Sequence, residues 1–336
     1  MDSLPRVLCF GEILFDIISN EPGVPYEQVK DWTAYPGGAP ANVACALSKL
    51  GTSSGFIGCI GSDEPGNELV NLLHSIGVNT LGIQRHDTAP TREIDVIRTA
   101  EGDRQFVGFR RYDTTAFADT QLDGHQLPTA LFETADYFVF GTLELPYLVT
   151  ANALGRALEL ADQYQVKLIL DVNWRPVFWP DQSIAKPQIL DLAQRIDFLK
   201  LTDEEAQWLF GTDDPIAIAE VLPDVEGILV TAGEKGCAYW LNQHTGRLSS
   251  FPVQVEETTG AGDSFLAGFI HKLDQLGMVA LNDPQQTRDI VTYASAVGAL
   301  TTTRAGAIAA QPTASEVDAF CYLSQQKSVW DMGIRY

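Results

Sequence analysis

The run Gly260-Ala261-Gly262-Asp263 puts bare backbone and a carboxylate at one point of the chain. Downstream, Phe265, Leu266, Phe269, Ile270, Leu273 and Leu276 recur at helical spacing until Gly277. The glycines therefore mark a helix N-terminus, where the first N–H groups lack intrahelical partners and the dipole is positive. Without side chains they let an oxygen come within hydrogen-bond range, which suits an oxyanion or a transferring phosphoryl group. Asp263, on the first turn, is placed to take a proton from an attacking hydroxyl. The plainer alternative makes Asp263 an ordinary N-terminal helix acid and the glycines a tight turn.

Other routes to phosphate or acyl chemistry are closed. G-x-G-x-x-G fails because Phe265 stands where the third glycine belongs, and no G-x-x-x-x-G-K-[ST] occurs. Gly51-Thr52-Ser53-Ser54-Gly55 spells G-x-S-x-G, but a helix precedes it and a strand follows, the reverse of a nucleophile elbow. His74, His86, His125, His244 and His271 show no metal spacing and read as surface or capping residues. Cys9, Cys45, Cys59, Cys237 and Cys321 are scattered without a C-x-x-C pair, as buried apolar residues in a reducing compartment. With 22 Lys plus Arg against 44 Asp plus Glu, the net charge is -22, which argues against nucleic acid and anionic membranes as partners. A phosphorylated ligand must then be held by backbone N–H groups and a few placed cations. The opening MDSLPRVLCFGEI has no basic n-region or long apolar h-region, and no apolar run approaches a membrane span, so a cytoplasmic protein is expected.

Holding Asp263 in place calls for a frame, and the pattern supplies an α/β one. Strands are expected over 7–10, 55–60, 137–140, 166–172, 198–201, 227–231 and 237–241, and helices over 41–50, 69–76, 151–164, 189–195, 203–210 and 287–300, besides the one Asp263 opens. Pro40 near the start and Gly51 just past the end frame the first helix. Strand–helix alternation means a mostly parallel sheet covered on both faces. Residues 92–111 differ: two apolar runs flank Glu101-Gly102-Asp103, a hairpin that belongs in a separate flap. No repeat or Pro/Gly/Ser-rich linker divides the chain, so one domain over 1–336 is expected.

Two signatures turn this frame into a family resemblance. ETTGAGDSFLAGF (257–269) resembles the C-terminal signature D-T-x-G-A-G-D of the ribokinase-like (PfkB) carbohydrate kinases, and PGGAPANVACALSKLG (36–51) resembles their N-terminal one. Between and before them, GEILFDI (11–17) resembles the first strand with its sugar-binding acid, Asp16. DVNWRP (171–176) resembles the D-x-N-x-R strand end, KLTDEEAQWLFG (200–211) the N-x-x-E magnesium segment, and LVTAGEKGC (229–237) the nucleotide-binding strand and turn. The likeness covers nearly the whole chain. It implies a three-layer α/β/α domain with a mostly parallel central sheet and a small β-sheet lid, with lid strands from about 12–35 and 92–114. It also implies a homodimer formed through the lid sheets.

The same resemblance implies an ATP-dependent kinase acting on a primary hydroxyl of a free hexose. Asp263 is then the base, and the N–H groups around Gly260, Ala261 and Gly262 form the hole for the γ-phosphate. Asp16, Gly37, Gly38 and Asn42 fall where the family grips the sugar, Arg175 near the transferred phosphate, and Arg110 or Arg111 at a lid strand end facing the sugar. Thr202, Thr231, Gly233, Gly236 and Ser295 fall on the nucleotide side. Glu205 matches the acid that orders Mg²⁺ through water. Glu257 and Thr259 lie beside a monovalent-cation (K⁺) site. The chain departs from the pattern at Thr202, where the motif has Asn, at Glu257, where Asp is usual, and at Ser295, where relatives often have Asn. The tail 292–313, GEKGC and Trp179-Pro180 resemble fructokinases and imply D-fructose as acceptor. A 2-keto-3-deoxygluconate kinase or ribokinase is the alternative. A catalytically inactive regulatory protein of this fold would show damage at Gly260, Gly262 or Asp263, and all three are intact.

Overall fold

Strand β1 (Val7–Phe10) is apolar at every position and wholly buried. The computed structural model, which describes residues 4–100, 104–109 and 112–331, shows why. Strands β4 (Ser54–Gly61) and β8 (Tyr137–Phe140) flank β1 in parallel register, and helices cover both faces. Outward from β8 run β9 (Lys167–Asp171), β10 (Phe198–Thr202) and β11 (Gly227–Thr231), all parallel. The antiparallel strands β12 (Cys237–Leu241) and β13 (His244–Leu248) close that side. Strand β5 (Asn79–His86) closes the other, giving the order β13-β12-β11-β10-β9-β8-β1-β4-β5.

Period-two alternation splits each strand between two cores. Leu8, Phe10, Phe138, Phe140, Leu168 and Leu170 point into one, while Val7, Cys9, Tyr137, Val139 and Ile169 point into the other. The first core is covered by α3 (Thr129–Phe132), α4 (Leu148–Gln163), α5 (Ala185–Ala193), α6 (Asp203–Phe210) and α7 (Pro215–Ala219). The second is covered by α1 (Ala39–Leu50), α2 (Glu64–Ile76), α8 (Ala261–Leu276), α9 (Pro284–Thr301) and α10 (Ala314–Asp331). This is the three-layer α/β/α arrangement, with a mostly parallel central sheet, that the resemblance implies.

A second sheet stands apart, in the order β3-β2-β6-β7. It is built from β2 (Leu14–Ser19), β3 (Trp32–Gly37), β6 (Glu93–Arg98) and β7 (Arg104–Gly108). The expected hairpin is the antiparallel β6–β7 pair. Its turn, together with Arg110 and Arg111, lies outside the described residues. Asp16 sits on β2, within the 12–35 stretch expected to give lid strands, and β2 is separate from β1 because the strand ends at Phe10 and a new one starts at Leu14. Arg92 moors this sheet. It is 1% exposed, it bonds Asp119 at 2.6 and 2.8 Å, and Phe109, Phe117, Tyr147 and Phe178 surround its guanidinium.

His271 departs from expectation. It is buried, shares a 2.9 Å hydrogen bond with Thr52 Oγ1, and stacks on Tyr293, and burial pushes its imidazole down to about 4. It is a neutral core residue, not a surface or capping one.

Candidate active site

Helices α1 and α8 pack side by side and end at one place. Helix α1 begins after Gly38, whose φ of 104° is in the left-handed region, and Pro40 fixes its first turn. Helix α8 begins after Gly260, whose φ is 77° and where a Cβ would stand 3.0 Å from Ala307. Both the backbone and the space there demand glycine. Asn42 on the first turn of α1 donates from Nδ2 to Asp263 Oδ2 at 2.8 Å, joining residues 221 positions apart. Gln311 Nε2 in turn donates to the Asn42 carbonyl at 2.8 Å.

These helix ends open on a cavity of about 1270 Å³. Asp16, Gly38 and Asn42 line it, as do Ile94 and Phe106 of the small sheet. Gly37 backs Asp16, whose Oδ2 lies 3.1 Å from where a Gly37 Cβ would be. Gly260, Ala261, Gly262, Asp263 and Arg175 line the cavity as well, as do Thr202, Glu205, Thr231, Gly233, Gly236, Thr259 and Ser295. Most of the sequence-predicted site thus lines one space, with three qualifications. Gly37 stands behind Asp16 and does not itself line the cavity. Arg111 lies outside the described residues. Glu257 does not line the cavity, and its Oε2 accepts from the Gly306 N–H at 3.1 Å.

Glu205 is more than a surface helix acid. It is 6% exposed and forms a capping box with Thr202: Thr202 Oγ1 accepts from the Glu205 N–H at 3.1 Å, and Glu205 Oε2 accepts from the Thr202 N–H at 2.8 Å. Its Oε1 accepts from the Trp174 N–H at 2.6 Å, fixing the loop that presents Arg175. Ser295 Oγ donates to the Val291 carbonyl at 2.9 Å and lies 3.6 Å from Cys237 Sγ. Thr231 Oγ1 lies 3.4 Å from the Leu201 carbonyl.

Sequence reasoning passed over several charged groups here. Lys200, 5% exposed, donates from Nζ to both oxygens of Asp171 at 3.0 and 2.9 Å. Burial opposes the charge on Lys200, but Asp171, Glu205 and Asp263 outweigh it and hold the ammonium above its ordinary range. The visible signal was a lysine inside the apolar strand Phe198-Leu199-Lys200-Leu201. Asp263 is pushed up by burial and drawn back by Lys200, the Asn42 hydrogen bond and Arg175. Glu12 and Glu144, both 4% exposed, form a second buried group. Glu12 Oε1 accepts from the Ala39 N–H at 2.8 Å and so pins the start of α1. Burial lifts Glu12 to about 7, and burial plus the Glu12 charge lifts Glu144 well above its ordinary value.

A deep cleft at the strand ends, two helix N-termini and a carboxylate between them define a phosphotransferase-type site. Comparison with known proteins agrees. Residues 4–314 match the model of the pfkB family carbohydrate kinases. Fructokinase-2 of Solanum lycopersicum is 36% identical over 315 residues, covering 92% of this chain and 94% of that protein. A fructokinase from Xylella fastidiosa, solved with bound ATP, superposes with a TM-score of 0.85 at 29% identity, over 97% of this chain and all of that one. A fructokinase double mutant from Vibrio cholerae O395, in a form bound to fructose, ADP and potassium ion, gives a TM-score of 0.81 at 25% identity, over 95% of this chain and 99% of that one. The chain belongs to the pfkB family of carbohydrate kinases. It is a sugar kinase of the fructokinase type.

Proposed function

We propose that this enzyme transfers the γ-phosphoryl group of ATP to a primary hydroxyl of D-fructose, giving fructose 6-phosphate. The observation that carries the reading is the meeting of the α1 and α8 N-termini at Asp263, with bare backbone at Gly260, Ala261 and Gly262. In this reading Asp16, Gly37, Gly38 and Asn42 hold the sugar beneath the small sheet. Asp263 accepts the proton of the attacking hydroxyl as that oxygen bonds to phosphorus, and ADP departs. The N–H groups of the first turn of α8, with Arg175, take up charge on the transferring group. Thr202, Thr231, Gly233, Gly236 and Ser295 form the nucleotide wall.

Mg²⁺ supplies charge neutralisation on the phosphates when bound. Glu205 suits it: a buried carboxylate at the cavity wall whose oxygens each keep a second lone pair for a metal-bound water. Glu257 and Thr259 form the proposed K⁺ position. Free thiols at all five cysteines suit a reducing compartment such as the cytoplasm. Among the described residues no helix is long and apolar enough to cross a membrane.

The test is phosphorylation with MgATP over a panel of sugars. D-fructose is expected to give the highest kcat/KM. A tenfold advantage for ribose or 2-keto-3-deoxygluconate would overturn the assignment.

A further inference from the structure

The Lys200–Asp171 pair has no part in the mechanism above, yet its placement asks for one. The two residues are register partners on adjacent strands β10 and β9, so their side chains leave the sheet together. Replacing a buried ion pair with apolar residues is often neutral or stabilising, so stability alone is a weak reason for one. Nor is this pair sealed in the core, since Lys200 lines the cavity. A Cβ added to Gly262 would stand 2.9 Å from Lys200 Nζ. Gly262 has no positive φ, so its backbone does not require glycine. What the missing side chain provides is room for the ammonium against the first turn of α8.

We propose that Lys200 is a positioning residue for phosphoryl transfer: fixed by Asp171, its ammonium sets a positive charge beneath the N-terminal turn of α8, where Asp263 and the transferring group both need one. The inference rests on the reading of Asp263 as the base. The surroundings support it. Three carboxylates, Asp171, Glu205 and Asp263, act on Lys200. Without the ammonium this part of the cavity would be anionic and would repel a phosphate. Arg175, the other cation facing Asp263, is exposed and turns its Nη1 to the Trp174 carbonyl at 2.9 Å. A buried charge is screened less than an exposed one and needs no reorganisation during the reaction. Lys200 on β10, Asn42 on α1 and Arg175 after β9 all favour the ionised Asp263, and Lys200 is the strongest of the three.

The experiment compares K200M, K200R, the double variant D171N/K200M and D263N, by kcat, KM, pH profile and thermal unfolding. K200M is expected to lower kcat by about 10- to 100-fold, with the fructose KM within about threefold. The acid limb of the kcat profile should move to higher pH, because Asp263 loses the charge that favours its ionised form. K200R should recover part of kcat. K200M alone leaves Asp171 buried without its partner and should unfold at a lower temperature than wild type, whereas D171N/K200M leaves neither member of the pair charged and should unfold near the wild-type temperature. The double variant should nevertheless keep the kcat loss and the shifted limb. If it regains wild-type kcat, or if no Lys200 variant moves the acid limb while D263N is inactive, the pair is only structural and the proposal is overturned. A D263N enzyme with wild-type kcat would instead overturn the base reading, and the inference with it.

Discussion

Asp263 separates the two readings of a helix-terminal acid. Asn caps or serves a helix N-terminus about as well as Asp, but cannot accept the proton. D263N is therefore expected to lower kcat by about 10²–10⁴ with folding and ATP affinity nearly unchanged, measured by steady-state kinetics and nucleotide titration. Retention of more than a tenth of wild-type kcat would contradict the assignment. Glu12 and Glu144 give a second prediction at this scale. Their carboxyls sit above the ordinary value of 4.5, Glu12 at about 7, so between those values the folded protein holds protons that the unfolded chain releases. Stability must then fall as pH rises through that window. E144Q removes one of the two charges, and its melting temperature should exceed wild type by about 2–5 °C at pH 8 and match it at pH 4, read by scanning fluorimetry. Asp263, its glycines and Asn42 were legible in the sequence because they lie in two short contiguous runs. Lys200 was not, since what makes it notable is its register against Asp171, a partner 29 residues away.

The small sheet was half legible as an element. The β6–β7 hairpin follows from alternation and a glycine turn, which are local. Its parallel pairing with β2 is not local, because Asp16 and Ile94 meet only in three dimensions. That pairing is why Asp16 belongs to the lid and not to the central sheet. Strand β7 is left at an edge, with Phe106 45% and Val107 40% exposed. An apolar edge strand invites pairing with another chain. A homodimer joined at the small sheets is expected in light scattering at working concentration, and V107E should shift the mass toward a monomer. A wild-type monomer would count against it. Since Phe106 also lines the cavity, the monomeric variant should show a raised fructose KM, whereas loss of a remote contact would leave KM alone.

At the scale of the molecule, alternating strands and helices foretold a parallel sheet between two helical layers. They did not foretell that β1 would lie between β4 and β8, because strand order depends on crossovers that leave no mark in the sequence. This winding has a consequence for time as well as space. The contact from Asn42 to Asp263 spans 221 residues and that from Gln311 to Asn42 spans 269, so the pocket is among the most non-local parts of the chain. Loop closure over such distances comes late, after local helices and neighbouring strands have formed. On dilution from denaturant, far-UV circular dichroism should recover ahead of enzymatic activity. Coincident recovery would contradict this order. On the ribosome the same delay becomes a schedule: a chain stalled short of Gln311 would hold most of its sheet and no finished pocket, and phosphorylation would begin only once the stretch around Gln311 had left the ribosome.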